Sequence, residues 1–518
     1  MTVHPLRGAG PYVAVLCISV ASNLLARWYG IFFDDSSLTF FWQYLDAEIL
    51  RHDLLRGIWL LHSQPPLFNL FLGCVLKLFP DSSTFAFAVL LQAMGVGILF
   101  TIVWLMQRLQ VPYAIALLLC ALLAFHPSFL VYTHWLFYTV PVALTLVLSV
   151  ASLLRFAETS SGLWARVFCW LAAILMLTRA IFHPVWFVVV IATTVLLVGP
   201  VARRRLLVAA VAPLLVVNLW YAKNAVQVGI FGASSWLGMN LRRGWSISSE
   251  NPPGAPEEVG RKLGVANLQP KEIGALVDAG KVPEVWLKRP FAKPPRFRSL
   301  GYFAPYEAGD PGCHPAICAP YKSDGRVNYN HRDYALISRE FLRGDLAVMR
   351  AYPDRYLQRV AMAFWYFLQP GPRLIFGAYN LKRLEQVCAR WNGALFLSGF
   401  LGAPAEDSFN LIFIAYPALL LYGTTKAWFT RGPARAVFAY VALTLTWFIL
   451  VTNLIEIGEN DRMRFEIDPL MLVLLGCMLA SLERVVATSC RTIGRRRSRL
   501  AAARSPCKTG LDRPVKWP

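Results

Sequence analysis

The feature that most constrains this chain is the recurrence of apolar runs long enough to cross a bilayer. A first run, from Pro11 to Ile31, is followed by others at roughly 65–80, 84–107, 111–127, 134–155, 164–182, 183–199 and 206–222. After a polar interval come five more, at about 361–379, 391–403, 407–428, 435–455 and 467–485. A spanning helix takes about 20 residues. Amides in hydrocarbon must be satisfied within their own segment, and these runs lack the alternation of barrel strands, so helices are required. With 56% hydrophobic residues, 16% charged residues and a mean hydropathy of +0.48, an ordinary soluble domain is excluded. The expected fold is an all-α polytopic membrane protein with about 12–13 transmembrane helices. Amphipathic juxtamembrane helices are expected in the first outer loop, and a small loop-rich cap outside.

Charge orients the segments. Arg7 precedes a first run that is too long for a signal-peptide core and lacks a small-residue cleavage site, so it reads as a retained helix with its N-terminus inside. The net charge of +21 is concentrated in clusters such as Arg203–Arg205 and a tail, 491–518, with nine Lys or Arg against one Asp. Such clusters fix topology and attract anionic headgroups rather than nucleic acid. If all six segments between the first loop and Arg203 crossed, those arginines would be outside. The short 65–80 segment, which opens on Pro65-Pro66, is therefore read as re-entrant or interfacial; 164–199 is the next candidate. Arg108, Arg155 and Arg166 then fall inside, and the turns His126–His134 and Arg179–His183 fall outside.

The organisation expected is a transmembrane module over 1–222 with a catalytic loop at 32–65, a cap over 223–360, helices over 361–486 and a basic cytoplasmic tail over 487–518. Within the Pro- and Gly-rich cap only 334–360 reads as helical. Cys313 and Cys318, in the sequence CHPAIC, are a plausible disulfide if that loop meets an oxidising compartment.

The loop Phe32–Leu70 carries four Asp, one Glu and two His between apolar runs. Such a cluster at membrane level needs a function or a route to water. Asp34 and Asp35 have two readings, both open: a base whose pKa the neighbour raises, or a cap on a helix starting near Ser37. Asp46 and Glu48 are second choices as base, on an amphipathic helix whose polar face is more simply solvated. Arg179 lies amid apolar residues and is expected to pair or to line a cavity. Arg462 and Arg464, beside Glu459 and Asp461, are either a phosphate grip or a juxtamembrane charge pair.

Four features in order resemble the GT-C superfamily of polytopic glycosyltransferases, especially the bacterial branch near the protein O-mannosyltransferases and the lipid A aminoarabinose transferases. They are the acidic pair Asp34-Asp35, the element Gln64-Pro65-Pro66-Leu67, the stretch NAVQVGIFGASSWLGMNL from Asn224 to Leu241, and GENDRMRFEIDPL from Gly458 to Leu470. The resemblance covers about residues 10–486. It implies inverting transfer of a sugar from a polyprenyl-phosphate donor to a hydroxyl of a lipid, glycan or protein, at the outer face of a bacterial inner membrane. Asp34 or Asp35 is then the base. His62, Gln64, His134, Arg179, Glu459, Arg462 and Arg464 are the expected substrate-binding residues. Two departures stand out: Gln64 is neutral where the family often has a cation, and His126–Thr139 lacks the usual acidic residue, for which His134 or Tyr138 would substitute. The absence of a Trp-Trp-Asp signature argues against oligosaccharide transfer to Asn. No metal or cofactor is required, and the expected partners are the donor, the acceptor and membrane lipids. Two alternatives are a lipid-linked glycan flippase, which would favour inverted repeats and broken midplane helices, and a non-catalytic envelope scaffold. The enzyme reading asks that Asp34 or Asp35 share one cleft with Arg462 or Arg464.

Overall fold

In a computed structural model of the chain, the residues described are 10–245, 268–304, 306, 312–369, 371–372, 380, 383–384 and 411–503. Among them helices make almost the whole fold, and the only β pairing is the isolated bridges Asp34 to Trp135 and Tyr321 to Val327. The protein is an all-α polytopic membrane protein. Among the described residues seven helices are long and apolar enough to cross a bilayer: Gly10–Trp28, Ser83–Arg108, Thr139–Thr159, Pro200–Val228, Leu411–Phe429, Pro433–Ile455 and Asp468–Thr488. A bent pair, Tyr113–Ala124 and Pro127–Thr133, meets at 62° and makes an eighth if counted as one span. The bend has a local cause: Pro127 cannot continue a helix, and the His126 side chain accepts from the Ser128 amide to cap a new one. The other expected segments are shorter or lie elsewhere. Gly162–Thr178 and Pro184–Leu197 have 17 and 14 residues, while 391–403 lies outside the described residues.

Side-chain contacts sort the helix ends onto two sides. On one, Arg108 and Arg155 share Glu158, and Arg205 donates to the Ser160 carbonyl at 2.7 Å. On the other lie the loop 29–65 and the cap. The short helix Pro66–Leu78 begins on this second side. The next helix begins there too, because Thr84 donates to the Asp35 carboxylate. Both ends of the 65–80 segment thus lie on the cap side, as the charge parity asks.

The cap is more helical than its composition suggests. Besides Arg332–Ala351 it contains Leu237–Arg243, Pro270–Asp278, Glu284–Leu287, Pro294–Arg298 and Pro315–Cys318, several opened by Pro at the first turn, where a missing N–H costs nothing. They enclose their own apolar core, with Trp286, Phe297, Tyr334 and Phe341 fully buried. Helices Leu237–Arg243 and Arg332–Ala351 touch through backbone: a Cβ on Gly238 would lie 1.9 Å from the Ser338 carbonyl oxygen. The expected single helix 334–360 is instead broken at Tyr352–Pro353, where Pro353 starts Pro353–Leu368. Cys313 and Cys318 are disulfide-bonded, their Cα atoms 6.0 Å apart. The cap is pinned to the first loop by polar contacts, most of them buried. Lys322 donates to the Phe41 carbonyl at 3.0 Å, Ser323 donates to Asp46, and Asn330 accepts from the His62 and Ser63 amides at 2.9 and 3.0 Å.

Candidate functional site

A cavity of about 440 Å³ opens where loop, cap and membrane helices meet. The first loop gives it Trp42, Gln43 and Gln64, and the turn after Gly162–Thr178 gives it Arg179. The cap contributes Trp236, Asn240, Arg243, Phe291 and Arg339. Helix Pro433–Ile455 and the loop after it supply Trp447, Val451, Ile455, Glu456, Glu459 and Arg462.

The spacing of this last set matters. Trp447, Val451 and Ile455 recur every fourth residue, so they form one stripe down one helix face. At 1.5 Å per residue the stripe runs about 12 Å into the span. Directly beyond it the helix ends and the charged residues begin. The cavity therefore has an apolar flank at membrane depth and a polar end at the level of the cap.

The polar end is a charge network. Arg462, 1% exposed, donates through Nε and Nη2 to Glu459 Oε2 at 3.0 and 2.6 Å. Arg243 reaches Glu456 at 3.2 Å and approaches Glu459 at 3.6 Å. Arg179, 7% exposed, donates to the Tyr138 hydroxyl, and its Nε lies 3.3 Å from Glu466. That last approach is misaligned, so Arg179 Nε and Nη2, both buried, donate no hydrogen bond. The cavity lining as a whole carries four arginines, Arg179, Arg243, Arg339 and Arg462, against two carboxylates, Glu456 and Glu459, with Glu466 behind Arg179. The site is net positive even with all three carboxylates ionised.

The two lining carboxylates are driven apart. Burial pushes the Glu456 carboxyl above its ordinary value, and Arg243 only partly offsets this. Burial acts in the same direction on Glu459, but Arg462 and Arg243 together hold it below its ordinary value. The two carboxylates thus sit in unequal environments, Glu456 held towards its neutral form and Glu459 towards its ionised form.

Four of the residues expected from sequence, Gln64, Arg179, Glu459 and Arg462, line this cavity. His62 stands one layer behind: its Nδ1 lies 3.0 Å from Ser235 Oγ, and burial beside Lys223 pushes its imidazole down to about 3, so it is neutral. Arg464 is turned away and donates to the Phe367 and Gln369 carbonyls at 2.7 and 2.5 Å, fastening Pro353–Leu368 to the loop. His134 also faces elsewhere, with Nδ1 2.7 Å from the Leu130 carbonyl oxygen.

The expectation for Asp34 and Asp35 is corrected. Neither is among the residues lining the cavity. The Asp34 backbone is committed to His134 and Leu136, and its Oδ1 accepts from the Ser36 amide at 3.0 Å at the start of Ser37–Phe40. Asp35 is bound by Thr84. Asp34 thus holds a turn and Asp35 a contact to helix Ser83–Arg108, while Asp34 Oδ2 is buried with no hydrogen-bond partner; neither carboxylate shares this cavity with Arg462. Sequence reasoning missed Glu456, Arg243 and Arg339. Glu456 had a signal, since a carboxylate abutting an apolar run is costly to bury; Arg243 lies two residues beyond the 224–241 motif.

Comparisons of the chain with protein-family models, with curated proteins and with solved structures each give no match.

Proposed function

We propose that the protein is a membrane glycosyltransferase that takes a sugar from an isoprenoid-phosphate donor and passes it to a hydroxyl. One observation carries this reading. A single cavity joins an apolar stripe at membrane depth to a cluster of lining arginines, in which Arg179 Nη2 makes no hydrogen bond. Apolar chain next to anionic head is the shape of a lipid phosphate, and Arg is suited to binding phosphate oxygens through two donors at once.

The chemistry follows from the same groups. The acceptor hydroxyl attacks the anomeric carbon and gives its proton to Glu456. The bond from that carbon to the phosphate oxygen breaks, and the isoprenyl phosphate leaves with the electron pair. Arg179 and Arg243 stabilise the charge that develops on it. Arg462 is already spent on Glu459, which it keeps ionised and in place. Loss of the Asp34 and Asp35 base shifts the acid–base role to Glu456; it does not remove the donor site.

The test is sugar transfer in detergent from a synthetic short-chain isoprenyl-phosphate sugar to a panel of lipid and glycan alcohols. Product formed by wild type and reduced at least 100-fold in Glu456→Gln supports the reading, the expected scale for a general base being about 10²–10⁴. A protein that binds the donor but forms no product with any acceptor, or Glu456→Gln turning over like wild type, contradicts it. The first of those outcomes is what a flippase or scaffold would give.

A further inference from the structure

One uncharged group of lining residues has its own chemistry. It consists of Trp42, Gln43, Gln64, Trp236 and Phe291. The Phe291 ring is 5.1 Å from Trp42 and 5.8 Å from Trp236, so the three make an aromatic wall. Chain connections hold the amides against it. Ser234 bonds the Ser63 carbonyl, next to Gln64, and its hydroxyl accepts from the Trp236 amide at 3.2 Å. Two polar atoms here are buried without a partner: Trp236 Nε1, a donor on a side chain 2% exposed, and Gln43 Oε1, an acceptor.

A buried donor and a buried acceptor without partners beside an aromatic wall would both be satisfied by a ligand that reaches them and supplies both roles. A sugar ring does so, with hydroxyls for Nε1–H and for Oε1 and C–H faces for the rings. None of the five side chains is charged. An amino sugar would bring a buried ammonium, and a uronic sugar a buried carboxylate, with no counter-charge among these residues.

We propose that this aromatic–amide group is the sugar subsite and that it selects an uncharged, hydroxyl-bearing ring over amino and acidic sugars. The inference rests on the donor reading above, and the experiment separates the two. Isoprenyl phosphates of one chain length, carrying a neutral hexose, an amino sugar or a uronic sugar, are titrated against wild-type protein in detergent. Sugar-free isoprenyl phosphate is the control, and tryptophan fluorescence is the readout. The neutral donor is expected to bind at least tenfold more tightly than both charged donors and more tightly than the control. Trp236→Phe, which keeps the ring and removes the N–H, should weaken the neutral donor about two- to tenfold and leave the control unchanged. Gln43→Glu should move the preference toward the amino sugar. Equal or tighter binding of a charged donor by wild type overturns the sugar selection while leaving the phosphate site standing. An unchanged neutral-donor affinity in both variants overturns the location of the subsite. Failure of all four ligands, control included, to bind overturns the donor reading and this inference with it.

Discussion

Arg179→Lys separates a binding role for this arginine from a structural one. In the wild type, Arg179 balances the buried Glu466 at 3.3 Å and bonds Tyr138, while Nε and Nη2 make no hydrogen bond. Lysine keeps the positive charge beside Glu466, so the protein should not suffer the ~3–5 kcal/mol that breaking a buried ion pair costs. What lysine lacks is the planar fork, with Nη2 free to donate while Nε faces Glu466. A hydrogen bond to a charged group contributes about 1.5–3 kcal/mol, which is roughly 10- to 150-fold in affinity. We therefore expect isoprenyl phosphate to bind Arg179→Lys at least tenfold more weakly. The thermal unfolding midpoint without ligand should fall by only a few degrees, as for a change of about 1 kcal/mol or less. The assay is a paired measurement on one preparation: Kd by fluorescence titration, and unfolding with and without lipid. If Arg179→Lys binds the lipid like wild type, the open Nη2 donor is not reserved for a phosphate. If Arg179→Leu and Arg179→Lys lose stability equally, the charge balance with Glu466 has been misjudged.

Three further outcomes follow from the same geometry. Because Glu456 must be ionised to act as base and burial raises its pKa, transfer should increase as pH rises through a midpoint above the ordinary glutamate value. Glu456→Gln should abolish that rise, and a wild-type pH profile flat across this range would contradict the role. Asp34→Asn and Asp35→Asn should each leave transfer within about threefold of wild type; Asp34→Ala should cost about 1 kcal/mol of stability through the lost turn contact, seen by thermal unfolding. Gly238→Ala puts a Cβ 1.9 Å from the Ser338 oxygen and 2.7 Å from the Leu342 nitrogen, both backbone atoms that cannot swing aside. It should loosen the cap, withdraw Arg243 and lower donor affinity, with faster proteolysis of the cap as the check.

Much of the fold was legible because hydrocarbon leaves a chain little choice. Apolar runs became helices, and the count of basic clusters marked the 65–80 segment as one that starts and ends on the same side. Arg179 was legible for a related reason, since charge amid apolar residues needs a purpose, whereas Gln64 came from the resemblance and Glu459 and Arg462 from their place beside the last helix. Asp34 and Asp35 misled because an acidic pair after a helix serves equally as a base or as a turn cap. Which of the two it is depends on where Ser36 and Thr84 lie, and spacing does not say. Glu456 was passed over because it stands at the very end of an apolar run and resembles a boundary residue; only its burial against Arg243 distinguishes it. The cap helices were hidden by their length. Pieces of four to nine residues opened by proline read as turns until they are seen to share the core around Trp286.

The most direct measurement is an experimental structure of the protein with a non-hydrolysable isoprenyl-phosphate sugar. Phosphate oxygens are expected within about 3 Å of Arg179 Nη2, the isoprenoid along Trp447, Val451 and Ile455, and the sugar on the side of Trp236. A phosphate bound away from Arg179, or a lipid that leaves this cavity empty, would contradict the donor reading.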